Sequence, residues 1–229
     1  MAITLYELAG ADPALVFSPY CWRTRLALAH KGLDVETVPW CFTETDKLAF
    51  SGQGKVPVIV DGAKATHDSW AIAEYLDAAY PDRPSLLGGQ AGAAHARFIN
   101  AWTDGVVLPG IARLVVRDIL DVLRPQDQPY FRTSRERAFG MTLEQVQEGR
   151  EARVVEWRRA LAPARTVLKA QPWLGGAVPD YADYILAGSL MWPRCVSRFQ
   201  LLEDDDAMAL WFARVRGLFG GMAEAARTA

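Results

Sequence analysis

Apolar and polar positions change period several times along the first third of the chain. Ile3–Leu8 is a short, loosely alternating run and predicts a strand. From Pro19 to Lys31 the apolar residues Trp22, Leu26 and Ala29 recur at helical spacing, and Gly32 follows as a stop signal. Asp34–Pro39 alternates around Val35 and Val38 and predicts a second strand. Between Phe42 and Gly54 no period is legible. Val58–Val60 is an apolar run suited to a buried strand, Asp61-Gly62 is a turn signal, and Lys64–Thr66 returns as the other arm of a hairpin. Trp70–Tyr80 places Ile72, Leu76 and Ala79 on one helical face.

Prolines and glycines crowd the stretch PDRPSLLGG that follows Tyr80, and strand signals stop there. Ala93–Trp102, Ile111–Leu123, Leu143–Leu168 and Leu210–Ala226 all carry helical spacing. Val154, Trp157, Leu161, Ala164 and Leu168 form the cleanest stripe, with Pro163 set to kink or break it. The expected organisation is a small α/β domain over residues 1–80, a linker over 81–90 and an all-helical domain over 91–229.

Composition narrows the function. Of 229 residues, 51% are hydrophobic and 23% charged, as in an ordinary globular chain. The net charge of −2 removes the electrostatic case for nucleic-acid binding, and no apolar run is long enough to span a bilayer. The first residues lack the pattern of a signal peptide. Three scattered cysteines, Cys21, Cys41 and Cys195, suit a reducing cytoplasm better than a disulfide framework. Neither cysteines nor histidines show metal-ligand spacing, so no metal is expected. The eight arginines between Arg132 and Arg165 alternate with acids and read as a solvated helix face.

Three short motifs could carry chemistry. Ser18-Pro19-Tyr20-Cys21 lies where a strand gives way to a helix. Free N–H groups and the helix dipole favour an anion there, and a serine hydroxyl can donate to a bound thiolate. Ser followed by Pro is equally a plain helix start, and Cys21 suits a packed, inert thiol. Lys55-Val56-Pro57-Val58 opens a strand. A cis bond before Pro57 would turn the Val56 amide groups toward an extended peptide ligand. A trans bond at the head of an edge strand is the expectation, because cis is the rarer isomer. Asp68-Ser69 opens the third helix, where both residue types cap; together they could also hold the ammonium and carboxylate of an amino-acid end.

A thiolate-stabilising helix start, an exposed Val-Pro backbone and an amino-acid end-binder together suit γ-glutamyl-cysteinyl-glycine. Phe17–Leu33, KVPVIV at Lys55–Val60 and DSWAIAEYL at Asp68–Leu76 resemble the cytosolic glutathione transferases. The resemblance implies a thioredoxin-like N-terminal domain, with an irregular helix filling Phe42–Gly54, followed by an all-helical glutathione-transferase C-terminal domain. It implies glutathione as co-substrate, with Ser18 as the catalytic hydroxyl and Lys55, Val56, Pro57, Asp68 and Ser69 as its binding residues. It also implies a homodimer. Asp180 and Asp183 resemble the family's buried helix cap, which makes them folding residues. The stretches around Phe17-Ser18-Pro19, Asp68-Ser69-Trp70, Pro125-Gln126-Asp127, Ser134-Arg135-Glu136 and Trp173-Leu174-Gly175-Gly176 look like the bacterial β-etherase branch and its fungal relatives. That branch implies a hydrophobic aromatic substrate, lignin-derived aryl ethers among them.

Alternatives stay open at this stage. Tyr6, inside the first strand, could supply the hydroxyl in place of Ser18. The fold could serve a non-catalytic, ligandin-like binder of aromatic compounds, whereas a dithiol oxidoreductase is disfavoured because Cys21 has no leading thiol. Trp40, Trp102, Trp192 and Trp211 are the tryptophans expected to supply an aromatic pocket.

Overall fold

The computed structural model describes residues 2–229. Its N-terminal unit is a four-stranded sheet with helices packed on it, the thioredoxin-like arrangement. The strands are β1 (Ile3–Leu8), β2 (Val35–Trp40), β3 (Val58–Asp61) and β4 (Lys64–His67), in the order β2-β1-β3-β4. β1 runs parallel to β2, with Leu5 opposite Thr37, and antiparallel to β3, with Leu5 opposite Ile59. The parallel pair needs a crossover, and α1 (Pro19–His30) supplies it. The unread stretch contains a 3-10 helix at Thr45–Ser51. β3 and β4 form the hairpin announced by Asp61-Gly62, and α2 (Ser69–Ala79) follows directly.

The rest is helical: α3 (Gly89–Trp102), α4 (Leu108–Val115), α5 (Ile119–Val122), α6 (Gln128–Phe139), α7 (Leu143–Gln147), α8 (Arg150–Ala160), α9 (Ala162–Ala170), α10 (Tyr181–Val196) and α11 (Ala207–Arg216). A single π turn, Thr103–Val107, joins α3 to α4. The expected Leu143–Leu168 helix is three helices. Gly149, at φ +68°, separates α7 from α8, and the chain re-enters at Leu161 so that Pro163 falls in the first turn of α9, where its missing N–H is harmless. All five stripe residues are nevertheless buried. The Leu210–Ala226 expectation also shortens. α11 ends at Arg216, and Phe219 and Gly220 have positive φ.

The core runs through both units, and α10 is its axis. It packs along α1 and α3 and is buried on nearly every face. Its N-terminus is closed by a capping box: Asp180 accepts from the Ala182 amide at 2.8 Å. Asp183, fully buried, accepts from the Leu174, Gly175 and Asp180 amides and from the Trp211 indole at 2.7 Å. These bonds commit both carboxylates to the start of α10, a structural role, as the resemblance implied. Arg23 crosses between the units, also fully buried. It donates to Asn100 at 3.0 Å, Asp104 at 2.7 Å and Ser189 at 3.2 Å.

Candidate active site

A cavity of about 500 Å³ opens between the two units, a size suited to small ligands. Leu8, Phe17, Ser18, Pro19, Tyr20 and the Gly54-Lys55-Val56 segment form its N-terminal wall. The π turn and α4 contribute Asp104, Leu108, Pro109 and Ala112, and α6 contributes Tyr130, Phe131, Arg135 and Phe139.

Ser18 is the N-cap of α1 and is 5% exposed. Its Oγ accepts from the Cys21 amide at 3.3 Å. A hydroxyl has acceptor lone pairs and one proton of its own, so accepting the cap bond does not use up the proton. The two readings of Ser18 are compatible. The first turn of α1 carries no acidic side chain to offset the dipole. Cys21, three residues on, is completely buried, and burial pushes its thiol up to about 12. It is a packed, neutral thiol. Tyr6 is half-buried against Phe50, with ring centroids 5.1 Å apart, and does not line the cavity.

The Val56–Pro57 bond is cis, contrary to the expectation of a trans bond on an edge strand. β3 is not an edge strand: it lies between β1 and β4. Pro57 precedes its first pair, Val58 opposite His67, so the missing N–H costs no ladder bond. Lys55 and Val56 line the cavity, while Pro57 is buried behind them.

Asp68 and Ser69 lie outside the cavity lining. The Val58–His67 pairing sets Asp68 just past the end of β4, beside Pro57. Asp68 adopts φ +72° and ψ 127°, a conformation that L-residues seldom occupy and that recurs at ligand clamps. One carboxylate oxygen, Oδ1, accepts from both the Trp70 and Ala71 amides, at 2.9 and 3.0 Å. The other has no bond to a described residue. Ser69 is buried, and its carbonyl accepts from the Tyr181 hydroxyl on α10 at 2.6 Å.

The far wall was less legible. Of the four tryptophans expected there, Trp40 and Trp192 line the cavity. Trp211 does not, because its indole is committed to Asp183 in the core, and Trp102 also lies elsewhere. Phe42 stands at the centre of an aromatic group, 5.9 Å from Tyr130 and 5.6 Å from Phe131. A clamp holds that group together. Asp127, 1% exposed, accepts from the Thr43 amide and hydroxyl at 2.9 and 2.8 Å. Arg124 bridges Asp127 at 2.6 Å and Glu44 at 2.8 Å. The expected solvated arginine face holds for Arg137 and Arg159, which are exposed, whereas Arg150 and Arg165 are part-buried in pairs with Asp118 and Asp206. It fails for Arg135, which the helical turn of α6 carries round to the cavity beside Phe131.

A thioredoxin-like sheet, an all-helical second unit and a serine-capped helix start facing the cleft between them define a class of two-part transferases. Comparison with known proteins names it. Residues 14–84 match the family model described as "Glutathione S-transferase, N-terminal domain", and residues 93–215 match "Glutathione S-transferase, C-terminal domain". The chain belongs to the glutathione S-transferase family. It is 38% identical over 94 residues to glutathione S-transferase Z1 of Arabidopsis thaliana, a match covering 39% of this chain and 41% of that protein. The first curated relatives are matched over less than half of their length, from 40% to 48%. Solved structures align over nearly everything. Glutathione transferase GSTFuA3 from Phanerochaete chrysosporium has a TM-score of 0.83 at 27% identity, covering 94% of this chain and 96% of that one. CsGST63524 of Ceriporiopsis subvermispora, solved in complex with glutathione, has a TM-score of 0.80 at 25% identity, covering 96% and 97%.

Proposed function

We propose that this protein is a glutathione transferase that activates the glutathione thiol and directs it at a hydrophobic aromatic electrophile. The observation that carries the reading is Ser18, a helix cap whose hydroxyl lies at the wall of the cavity. The glutathione complex of the Ceriporiopsis relative supports the choice of co-substrate. Glutathione lies along Lys55 and Val56, next to Pro57, with its γ-glutamyl end at Asp68 and Ser69. The free oxygen of Asp68 meets the ammonium group, and the Ser69 hydroxyl and backbone amide meet the carboxylate. The thiolate attacks an electrophilic carbon. A C–S bond forms, and the bond to an aryloxide or halide breaks with the electron pair on the leaving group. β-Aryl ether cleavage is the particular reaction suggested by the resemblance to the etherase branch. Residues 1–80 bind glutathione, residues 91–229 hold the electrophile, and the protein works as a homodimer in a reducing cytoplasm.

One set of measurements tests this. The wild-type protein is retained on glutathione-agarose, conjugates 1-chloro-2,4-dinitrobenzene and has the mass of a dimer by light scattering at micromolar concentration. The folded double variant Asp68→Ala, Ser69→Ala loses retention. Undiminished retention removes the binding site as drawn. Binding of aromatic compounds without any turnover makes the protein a carrier.

A further inference from the structure

The cavity holds one cation whose charge has no described partner and which the transferase reading leaves without a role. Arg135 lines it from α6. Its guanidinium carbon lies 5.1 Å from the centre of the Phe131 ring and 5.9 Å from that of Phe42. Among the described residues it pairs with no carboxylate, and its side-chain hydrogen bond runs to the neighbouring Ser134 hydroxyl at 3.3 Å. The nearest acid along the helix is taken: Arg132 holds Glu136 at 2.7 Å and reaches Glu144 as well. The acid of the cavity lining is also engaged, since Asp104 binds Arg23 at 2.7 Å and accepts from Asn100 at 3.1 Å. Burial lowers the Arg135 pKa, but a guanidinium remains protonated at neutral pH. A desolvated cation among aromatic faces gains much from an oxyanion that reaches it, because a planar fork matches a carboxylate with two parallel hydrogen bonds.

We infer that Arg135 is a specificity residue for the second substrate, and that this site selects aromatic electrophiles bearing a carboxylate. The inference rests on the transferase reading above and names the substrate class of the same cavity. Phe42, Phe131 and Tyr130 receive the ring, and Arg135 fixes the acid. The reacting carbon is thereby turned toward the Ser18 wall. Lys55, the other cation of the lining, belongs to the opposite wall, where glutathione is assigned.

The test uses two electrophiles that differ only in charge, 4-chloro-3-nitrobenzoate and 4-chloro-3-nitrobenzamide. In each the thiolate attacks the ring carbon bearing chlorine, the C–S bond forms, and chloride leaves with the bonding pair. The thiol proton passes to solvent, and no oxidant or reductant is needed. The readout is the ratio of kcat/KM for acid over amide. Wild type favours the acid. Arg135→Met cuts the ratio by about ten- to a hundredfold, mostly through the KM of the acid, as expected for losing a charge-assisted hydrogen bond. Arg135→Lys retains part of the preference, and Lys55→Met changes acid and amide alike.

Quenching of tryptophan fluorescence by 3-nitrobenzoate and by 3-nitrobenzamide, with unreactive S-methylglutathione present, reads the same preference without turnover. Arg135-dependent preference for the benzoate with no conjugation of either electrophile overturns the transferase reading and supports the anchor. Conjugation of both with a ratio that Arg135→Met leaves unchanged overturns the anchor alone. A preference that vanishes only in Lys55→Met overturns it too.

Discussion

Ser18 does two jobs with one oxygen, and a single substitution separates them. Its lone pair caps α1 through the Cys21 amide, so Ser18→Ala costs about 0.5–2 kcal/mol of stability, measurable by denaturant titration. Its proton is the proposed donor to the glutathione thiolate. Losing one hydrogen bond to a charged acceptor is worth about 1.5–3 kcal/mol, so turnover at neutral pH falls about ten- to a hundredfold. The loss is partial because the amides and dipole at the start of α1 remain. As pH rises toward the ordinary thiol value of about 8.5, the variant recovers, since the thiol then ionises unaided. A pH-independent deficit, or full activity in Ser18→Ala with loss in Tyr6→Phe, assigns the role elsewhere. The motifs proposed to face glutathione were legible because cap and turn chemistry is local: Ser-Pro, Lys-Val-Pro and Asp-Ser each declare themselves within four positions. Arg135 was not, because a charged residue on a polar helix gives no sign of which neighbour folds over it.

At the level of elements, the loop after β2 and the turn before α6 are held together by Asp127. Burial alone raises a carboxyl's pKa, but here Arg124 and the Thr43 hydroxyl and amide outweigh it and hold Asp127 below its ordinary value. A folded-state value below the unfolded one gives stability that is present above about pH 4 and lost as pH falls through the depressed value. Asp127→Asn therefore destabilises by about 2 kcal/mol at pH 7, the worth of a charge-assisted hydrogen bond, and the difference from wild type shrinks toward zero in acid. It also raises the KM for the electrophile, because Phe42 is no longer fixed against Tyr130 and Phe131. Equal stability of the two proteins at neutral pH removes this clamp from the account. Periodicity found the elements with one wet and one dry face and missed those wet or dry nearly all round. α6 buries only Phe131 and so shows no apolar stripe. α10 is buried almost all round, and only its Asp180–Asp183 cap marked where it starts.

For the whole molecule, the close seam between α1 and α10 fixes the start of α1, where Ser18 caps it. A Cβ at Gly188 would come within 2.7 Å of the Pro19 carbonyl and 2.9 Å of the Arg23 amide. These are backbone atoms that cannot step aside. Gly188→Ala is expected to cost about 1–3 kcal/mol through overpacking and to lower the melting temperature by several degrees. Because Pro19 adjoins Ser18, turnover per folded molecule falls as well. Unchanged melting and unchanged kcat would show that the seam has slack. The two-part architecture itself was readable from the switch between short strands and long helical periods near Tyr80. The seam was not, since it depends on a glycine in one unit meeting a carbonyl in the other, 169 positions apart by their numbers 19 and 188.

The proposed activity exposes this protein to its own electrophilic substrates. All three of its cysteines are free and buried. Burial pushes the thiols of Cys21 and Cys195 up to about 12 and raises that of Cys41. At neutral pH nearly all of each stays in the unreactive thiol form, shielded from encounter as well as from ionisation. On the proposed function, the sulfur of bound glutathione is then the thiol that an incoming electrophile meets. A transferase working as proposed directs its reagent to the glutathione sulfur and spares its own three thiols, so that its working life is set apart from the toxicity of what it consumes.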